Sequence, residues 1–339
     1  MYDDPWQVRE ADFPQPPTSR AVWMYLLNYA VLAPSIHNTQ PWKFRLDGDQ
    51  LEMLADTRRA LPVADPHRRE LVISCGAALY NLRVALRHFR YSPVVELLPD
   101  PNQPSLLARV TLGTRAAGAP IPDDRVFKAI THRRTHRGKF SAQTVFAASV
   151  EAMREAAETE GAWWFAVTTA EQLNAIAGLV AEADLLLMGN ADYRRELADW
   201  LRPNYGGAHD GMPGYALGLG NLVAAIAPVL VRLSDIGKRW SQRDARLIRS
   251  GPVVAVIGTM ADTIVDWLVT GQALQAALLQ ARVHGLSAAY HNQAIEVAPF
   301  RQRLAQILRR PGLPQLLLRF GYAPEGRPTP RRPVRDVLE

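Results

Sequence analysis

Ala33-Pro34-Ser35-Ile36-His37-Asn38-Thr39-Gln40-Pro41-Trp42 is the stretch from which the rest of the chain can be read. It is polar, and Pro34 and Pro41 fix φ and stiffen both of its ends. Upstream, residues 19–33 carry Trp23, Leu26, Leu27, Ala30 and Val31 at helical spacing, and Pro34 stops that helix. Downstream come two short strands, 43–46 and 50–55, joined by the turn Asp47-Gly48-Asp49. A polar loop between a buried helix and a strand can offer backbone N–H groups, the Ser35 hydroxyl and the Asn38 amide to a flat heterocycle. Trp42 adds apolar bulk. An ordinary Pro-bounded turn has the same composition.

Working outward, the periodicity predicts a long helix over 69–90 and strands over 94–98 and 106–112. Pro120 and Pro122 mark a linker. Helices are expected over 123–132, 142–158, 170–188 and 191–201, with a strand over 163–168. Residues 203–240 form a Gly/Pro-rich stretch, expected as a lid-like loop with a short buried helix. An apolar strand over 252–259 precedes a helix over 264–284, with Gly285 where a C′ glycine would end it. A helix over 299–308, a strand over 316–320 and a Pro/Arg-rich tail complete the chain. Two stretches echo one another. GAALYNLRVALRH begins at Gly76 and GQALQAALLQARVHG at Gly271; PSLLAR begins at Pro104 and PQLLLR at Pro314. Two echoes in the same order suggest a divergent duplication, although amphipathic Ala/Leu helices also resemble one another by chance.

The composition narrows the classes. The chain has 339 residues, 48% hydrophobic and 21% charged, an ordinary globular balance that excludes a mostly disordered chain or a long coiled coil. One cysteine, Cys75, excludes an intrachain disulfide framework and a Cys-cluster metal site, and a reducing, cytoplasmic setting is the expectation. The net charge is +6, and only four of the 39 basic residues are lysines. An arginine bias suits bidentate recognition of phosphate or carboxylate, and it equally fits a biased base composition. No basic run is interleaved with aromatics, so no nucleic-acid partner is expected. Residues 211–231 are uncharged but punctuated by glycine and proline, so no membrane span is expected there. GLGNLV at Gly218 is not a dinucleotide fingerprint, and there is no GxSxG. In His132-Arg-Arg-Thr-His136 the zinc spacing is spoiled by two guanidiniums that would repel a cation, so no metal is expected.

Arg133-Arg134-Thr135-His136-Arg137 instead places two arginines around a hydroxyl, an arrangement able to converge on one anion, or simply a solvated basic helix end. Taken together, APSIHNTQPW and RRTHR resemble two signatures of the FMN-dependent nitroreductases: a PSxxNxQPW ring loop and an Arg-x-Ser/Thr-x-Arg/Lys phosphate box. In that family the box precedes the loop, and the two come from opposite subunits of a homodimer. Here the order is reversed, as a fused pseudo-dimer would need, so the chain resembles the tandem, Acg-type branch. The resemblance implies an α+β fold of two nitroreductase-like halves, residues 1–118 with the ring loop at 33–42 and residues 119–339 with the box at 133–137, the lid insert and a C-terminal arm. It implies that Arg133, Thr135 and Arg137 hold the FMN phosphate, with Arg331 and Arg332 completing it. Pro34, Ser35, Ile36 and Asn38 would line the ring. Tyr290, His291, Asn292 and Gln293 would lie near its reactive edge, where the family has Glu-Gly at the last two positions. Arg243 and Arg246 match ring-contacting positions loosely. Thr18-Ser19-Arg20 is only a remnant of a first box, so one flavin site per chain is expected. The implied activity is hydride transfer through flavin N5, with NAD(P)H as donor, an unknown small acceptor and no protein nucleophile, in a monomer or homodimer. The alternative is flavin storage under a closed lid.

Overall fold

The computed structural model describes residues 2–116 and 124–339, so the expected boundary at 118/119 lies outside the described residues. Two four-stranded antiparallel sheets form the framework. The first half runs α1 (Ser19–Ala30), β1 (Trp42–Asp47), β2 (Gln50–Ala55), α2 (Arg69–His88), β3 (Val94–Leu97) and β4 (Leu106–Thr111), with the strands in the order β1-β2-β4-β3. After α3 (Asp124–His132), the second half repeats the plan with α4 (Ala147–Thr159) and β5 (Trp163–Ala166). An insertion follows: α5 (Ala170–Gly189), α6 (Ala191–Asp199), the short strands β6 (Leu201–Arg202) and β7 (Met212–Pro213), α7 (Asn221–Leu233) and α8 (Gly237–Arg249). The plan resumes with β8 (Val253–Thr259), α9 (Ile264–Val283) and β9 (Ser287–Tyr290), then α10 (Gln293–Glu296), α11 (Ala298–Leu308) and β10 (Leu313–Gly321). Its sheet order, β5-β8-β10-β9, matches the first sheet position for position. The two sequence echoes fall on matched elements, α2 with α9 and β4 with β10.

The sheets differ in what covers them. The first alternates Phe44, Leu51, Met53, Ala108 and Val110 inward with a solvent-side ladder in which Glu52 pairs Arg45 and Arg109. The second is covered on both faces, and its strands are mainly apolar, with Gln315 and Arg319 as buried polar exceptions on β10. Ala255, Ile257, Leu316, Leu318 and Phe320 face α4 and α9, whereas Val254, Val256 and Leu317 face α5, α8 and α11. The insertion supplies the second cover. α5 is long and apolar enough to cross a membrane by length and composition, but Ile176, Val180 and Ala183 are wholly buried in this core.

The halves meet where α2 crosses α9. A Cβ on Gly76 would lie 2.3 Å from the Leu268 carbonyl oxygen, and one on Gly271 would lie 2.1 Å from that of Ile73. Only glycine permits this approach. Next to it the buried Gln275 amide donates to Asn81 Oδ1 at 2.7 Å. α9 opens with a capping box, Thr263 with Asp266. It ends in a Schellman turn: Gly285 at φ 75° donates to Arg282, and Leu286 donates to Ala281. The halves also exchange arms. Phe127 and Ile130 of α3, and Val334 and Val337 of the tail, are buried in the core of the first half.

The expected 203–240 loop is shorter than the composition suggests. Irregular chain is confined to parts of 203–220, around β7, and to 234–236, whereas α7 and the start of α8 are regular helix, with Pro228 inside α7. Nor is α7 a buried helix. Ala224, Ala227 and Val231 face inward, while Leu222 and Leu233 are 86% and 76% exposed, because the helix is apolar on both faces and only one has a partner.

Candidate functional site

The loop between α1 and β1 is a tight turn with His37, Asn38 and Gln40 all at positive φ, 46°, 57° and 51°. The Ser35 hydroxyl accepts from the Gln40 N–H at 2.9 Å, and the Ser74 hydroxyl on α2 accepts from the Ile36 N–H at 3.3 Å. Asn38 tolerates the left-handed region better than most residues. Its amide donates to the carbonyls of Gly211 (2.9 Å) and Pro330 (3.1 Å) and accepts from Arg331 (2.8 Å). Gln40 donates to the His209 carbonyl and accepts from the Arg332 N–H, each at 2.8 Å. Two amides thus clasp three segments together: the loop, the lid and the C-terminal arm.

The basic run begins where α3 stops. Thr135 bridges Ala288, and the His136 N–H donates to the Ala288 carbonyl at 2.8 Å, so the run lies along the outer edge of β9. Arg133 and Arg331 are each 4% exposed and both donate to the Leu32 carbonyl. Arg137 donates to the Ala216 carbonyl of the lid, and Arg134 lies 4.2 Å over the Trp6 ring. Among the described residues none of Arg133, Arg137 or Arg331 has a carboxylate partner, and the Nε atoms of Arg133 and Arg331 are buried without any partner. Burial pulls the pKa of all three guanidiniums down, furthest for Arg331, where Arg133 and Arg134 add like-charge repulsion. Cations buried with unmet N–H groups are stabilised by an anion.

Loop, basic run, lid and arm surround a cavity of about 540 Å³. Of the residues expected at the site, Pro34, Ser35, Ile36, Asn38, Arg133, Thr135, Arg137, Arg243, Tyr290, His291, Asn292, Gln293 and Arg331 line it. Two do not. Arg246 is exposed on α8 and bonds to its own helix at Gln242, and Arg332 is spent on the clasp at Gln40 and Asp336. Arg243 donates to the Arg137 carbonyl at 2.8 Å and steadies the basic run. The Tyr290 hydroxyl is buried without a partner.

His291 is fixed in one tautomer. Its Nε2 accepts from Arg319 Nε at 2.7 Å, and arginine can only donate, so the proton sits on Nδ1, 3.7 Å from Asp244. Burial lowers the pKa of His291, which keeps the ring neutral near pH 7. Gln293 also donates to Asp244, at 3.1 Å. Asn292 accepts from the Leu317 N–H at 3.1 Å and reaches toward Glu70 at 3.4 Å. Sequence reasoning missed Glu70, Glu296, Arg319 and Asp244, the lid and arm residues Met212, Tyr215 and Thr329, and Trp6 near the N-terminus. The Arg69-Glu70 pair at the head of an apolar helix was the available signal for the first, and Arg319 stood inside the PQLLLR echo.

No protein-family model matches the chain. A Mycobacterium tuberculosis H37Rv protein that carries an NAD(P)H nitroreductase name is 33% identical over 333 residues, covering 96% of this chain and 92% of the relative. A second protein from that organism, named as the NAD(P)H nitroreductase Acg, is 28% identical over 318 residues, covering 91% of this chain and 92% of its own. Among solved structures, an FMN- and NADPH-dependent nitroreductase from Sphigopyxis sp. strain HMH is 20% identical with a TM-score of 0.43, covering 63% of this chain and 97% of its own.

Proposed function

The chain belongs to the NAD(P)H nitroreductase-like family, in its Acg-type branch, and on that premise we propose that its cavity binds FMN and passes hydride equivalents from NAD(P)H to a small acceptor. The observation that carries the cofactor assignment is a set of guanidiniums without carboxylates among the described residues, Arg133 and Arg331 buried and Arg137 half-buried. Arg133, Arg137 and Arg331, with the Thr135 hydroxyl between the first two, form a donor set for a phosphate dianion. The apolar walls fit a planar ring: Pro34 and Ile36 from the loop, Met212 and Leu217 from the lid, Leu274 from α9.

Bound FMN would supply hydride transfer at N5, so no side chain has to act as a nucleophile. The protein's part is binding, orientation and electrostatics. The clasp through Asn38 and Gln40 holds the lid against the loop and keeps water from the ring face. Arg319, which lines the cavity with a buried, unpartnered Nη1, would stabilise charge on the reduced ring, in place of Arg246, which lies outside the cavity. Arg319 also holds the Nε2 lone pair of His291, so that imidazole cannot accept a proton there.

The test is a comparison of two ligands. FMN should bind far more tightly than riboflavin, and Arg133→Ala or Arg137→Ala should weaken FMN by roughly 10–100-fold each, at about 1.5–3 kcal/mol per charge-assisted bond, while riboflavin changes little. Equal losses for both ligands would reject the phosphate role. Bound FMN that NAD(P)H does not reduce would mark storage in place of turnover.

A further inference from the structure

The cavity wall carries two carboxyl groups that the cofactor assignment leaves unused. Glu70, in the first turn of α2, is 6% exposed; its Oε1 accepts from Arg69 Nη2 at 2.9 Å. Asn292 Nδ2 lies 3.4 Å from both Glu70 oxygens. Glu296, at the end of α10, turns into the same cavity with a buried Oε2 that has no partner. The titratable and charged groups facing the pair are Arg69 on α2, Asp65 before it, Asp184 on α5, Tyr193 on α6 and Tyr290 on β9. Arg69 is itself shared with Gln315 on β10.

We infer that Glu70 and Glu296 form the proton donor for the acceptor reduced in this cavity. Two neighbouring buried carboxyls cannot both ionise cheaply, so the pair retains a proton where single carboxylates have lost theirs. Burial is the main cause: it pushes Glu70 up to about 7, and it raises Glu296 well above the carboxylate range, with the Glu70 charge as the next cause. Arg69 stabilises the Glu70 anion, so the retained proton sits on Glu296, whose Oε2 has no other partner.

The step balances without any further reactant beyond those of the proposed function, on which it rests. Reduction of the acceptor consumes one hydride, with its electron pair, and one proton. The hydride originates from NAD(P)H. The proton leaves the pair as a carboxyl O–H bond breaks and an O–H or N–H bond forms on the acceptor. The doubly ionised pair then regains a proton from water. The donor form is the protonated one, so turnover falls as pH rises through the pKa of the pair.

The experiment compares Glu296→Gln and Glu70→Gln with the wild type, each loaded with FMN and matched by flavin spectrum. Two acceptors are used: a quinone, whose reduction consumes protons, and ferricyanide, which takes electrons only. Each variant should slow quinone turnover at least about tenfold more than ferricyanide turnover and should lose the fall in rate that the wild type shows as pH rises, a modest share of the 10²–10⁴-fold typical of general acid catalysis. Infrared spectroscopy of the flavin-free protein gives a reading independent of activity. In an Asp184→Asn background, which removes the other buried protonated carboxyl, the protein should show a carboxylic-acid C=O band that bleaches as pH rises, and adding Glu296→Gln should remove it. Equal slowing of both acceptors, unchanged quinone turnover, or no titrating band would overturn the donor role. If the wild type takes up no FMN, the proposed function fails and the donor role fails with it. FMN uptake with unaltered quinone turnover removes the donor role alone.

Discussion

Asn38 shows how far a single residue can be read. Its place in the loop motif was legible, and the resemblance set it against a flavin ring. In the fold it does line the cavity, but all its side-chain hydrogen bonds go to Gly211, Pro330 and Arg331. Those partners lie far along the chain, in segments whose local pattern carries no trace of the loop they meet. Asn38→Ala should therefore act on the clasp: a loss of about 1.5–4.5 kcal/mol over three bonds at net values of about 0.5–1.5 kcal/mol per bond, read as faster proteolysis within 205–215 and faster FMN release. Asp184 is a case where no sequence signal existed. It sits on α5 at 2% exposure, and burial, followed by the nearby Asp244, pushes its carboxyl up to about 8. The folded protein thus binds this proton more tightly than the unfolded chain. The group costs nothing below pH 4, and its destabilisation grows as pH rises through 4–8. Asp184→Asn should raise the thermal midpoint more at pH 8 than at pH 5, and equal shifts at the two values would remove Asp184 from the pH response. The pairing of Glu70 with Glu296 was invisible for a simpler reason, since only the tertiary fold brings them to one cavity.

At the scale of elements, most strands and helices of both halves were legible from period and punctuation, because each buries a face of its own; β9, inside the 285–293 segment read as a loop, and α8, where no helix was expected, were not. The contact between α2 and α9 was not. The echo marked the two helices as related, but nothing in either sequence said that their first glycines touch. Gly76→Ala and Gly271→Ala should each destabilise the protein by about 1–3 kcal/mol or more, since the new methyl meets backbone that cannot step aside. Gly178→Ala in α5 is the control. Nothing lies within 4 Å of its added Cβ, so the substitution should stabilise by about 0.5–1 kcal/mol. Chemical denaturation of the three variants separates the two behaviours. The lid region misled in the opposite direction: its glycines and prolines suggested a loop with one short buried helix, while the structure has Asn221–Leu233 as a helix with one apolar face exposed, followed by α8.

For the whole molecule, the reversed order of loop and box was enough to suggest two halves in one chain, and the matched sheets carry that architecture in full. What the sequence could not convey was the placement of the insertion, which splits the β5–β8 pair and turns a one-faced sheet into a two-faced one. With loop, basic run and arm all supplied by the same chain, the cavity should take one FMN per 339-residue chain. Titration of the flavin-free protein, with light scattering for mass, should give a stoichiometry of one that persists in the monomer. Two equivalents, or binding that vanishes as dimers dissociate, would reject it.

The glycine contact also has a consequence for heredity. When a protein assembles from two copies of one gene product, every codon change is expressed on both sides of the assembly at once. Here each side has its own codons. One half could keep a ring loop and the other an arginine run, and neither had to suit both duties. At Gly76 and Gly271 that independence ends. Their backbones lie against each other, so a new side chain at one codon is obstructed by the segment encoded at the other, and two separate places in the gene remain answerable to a single point in space.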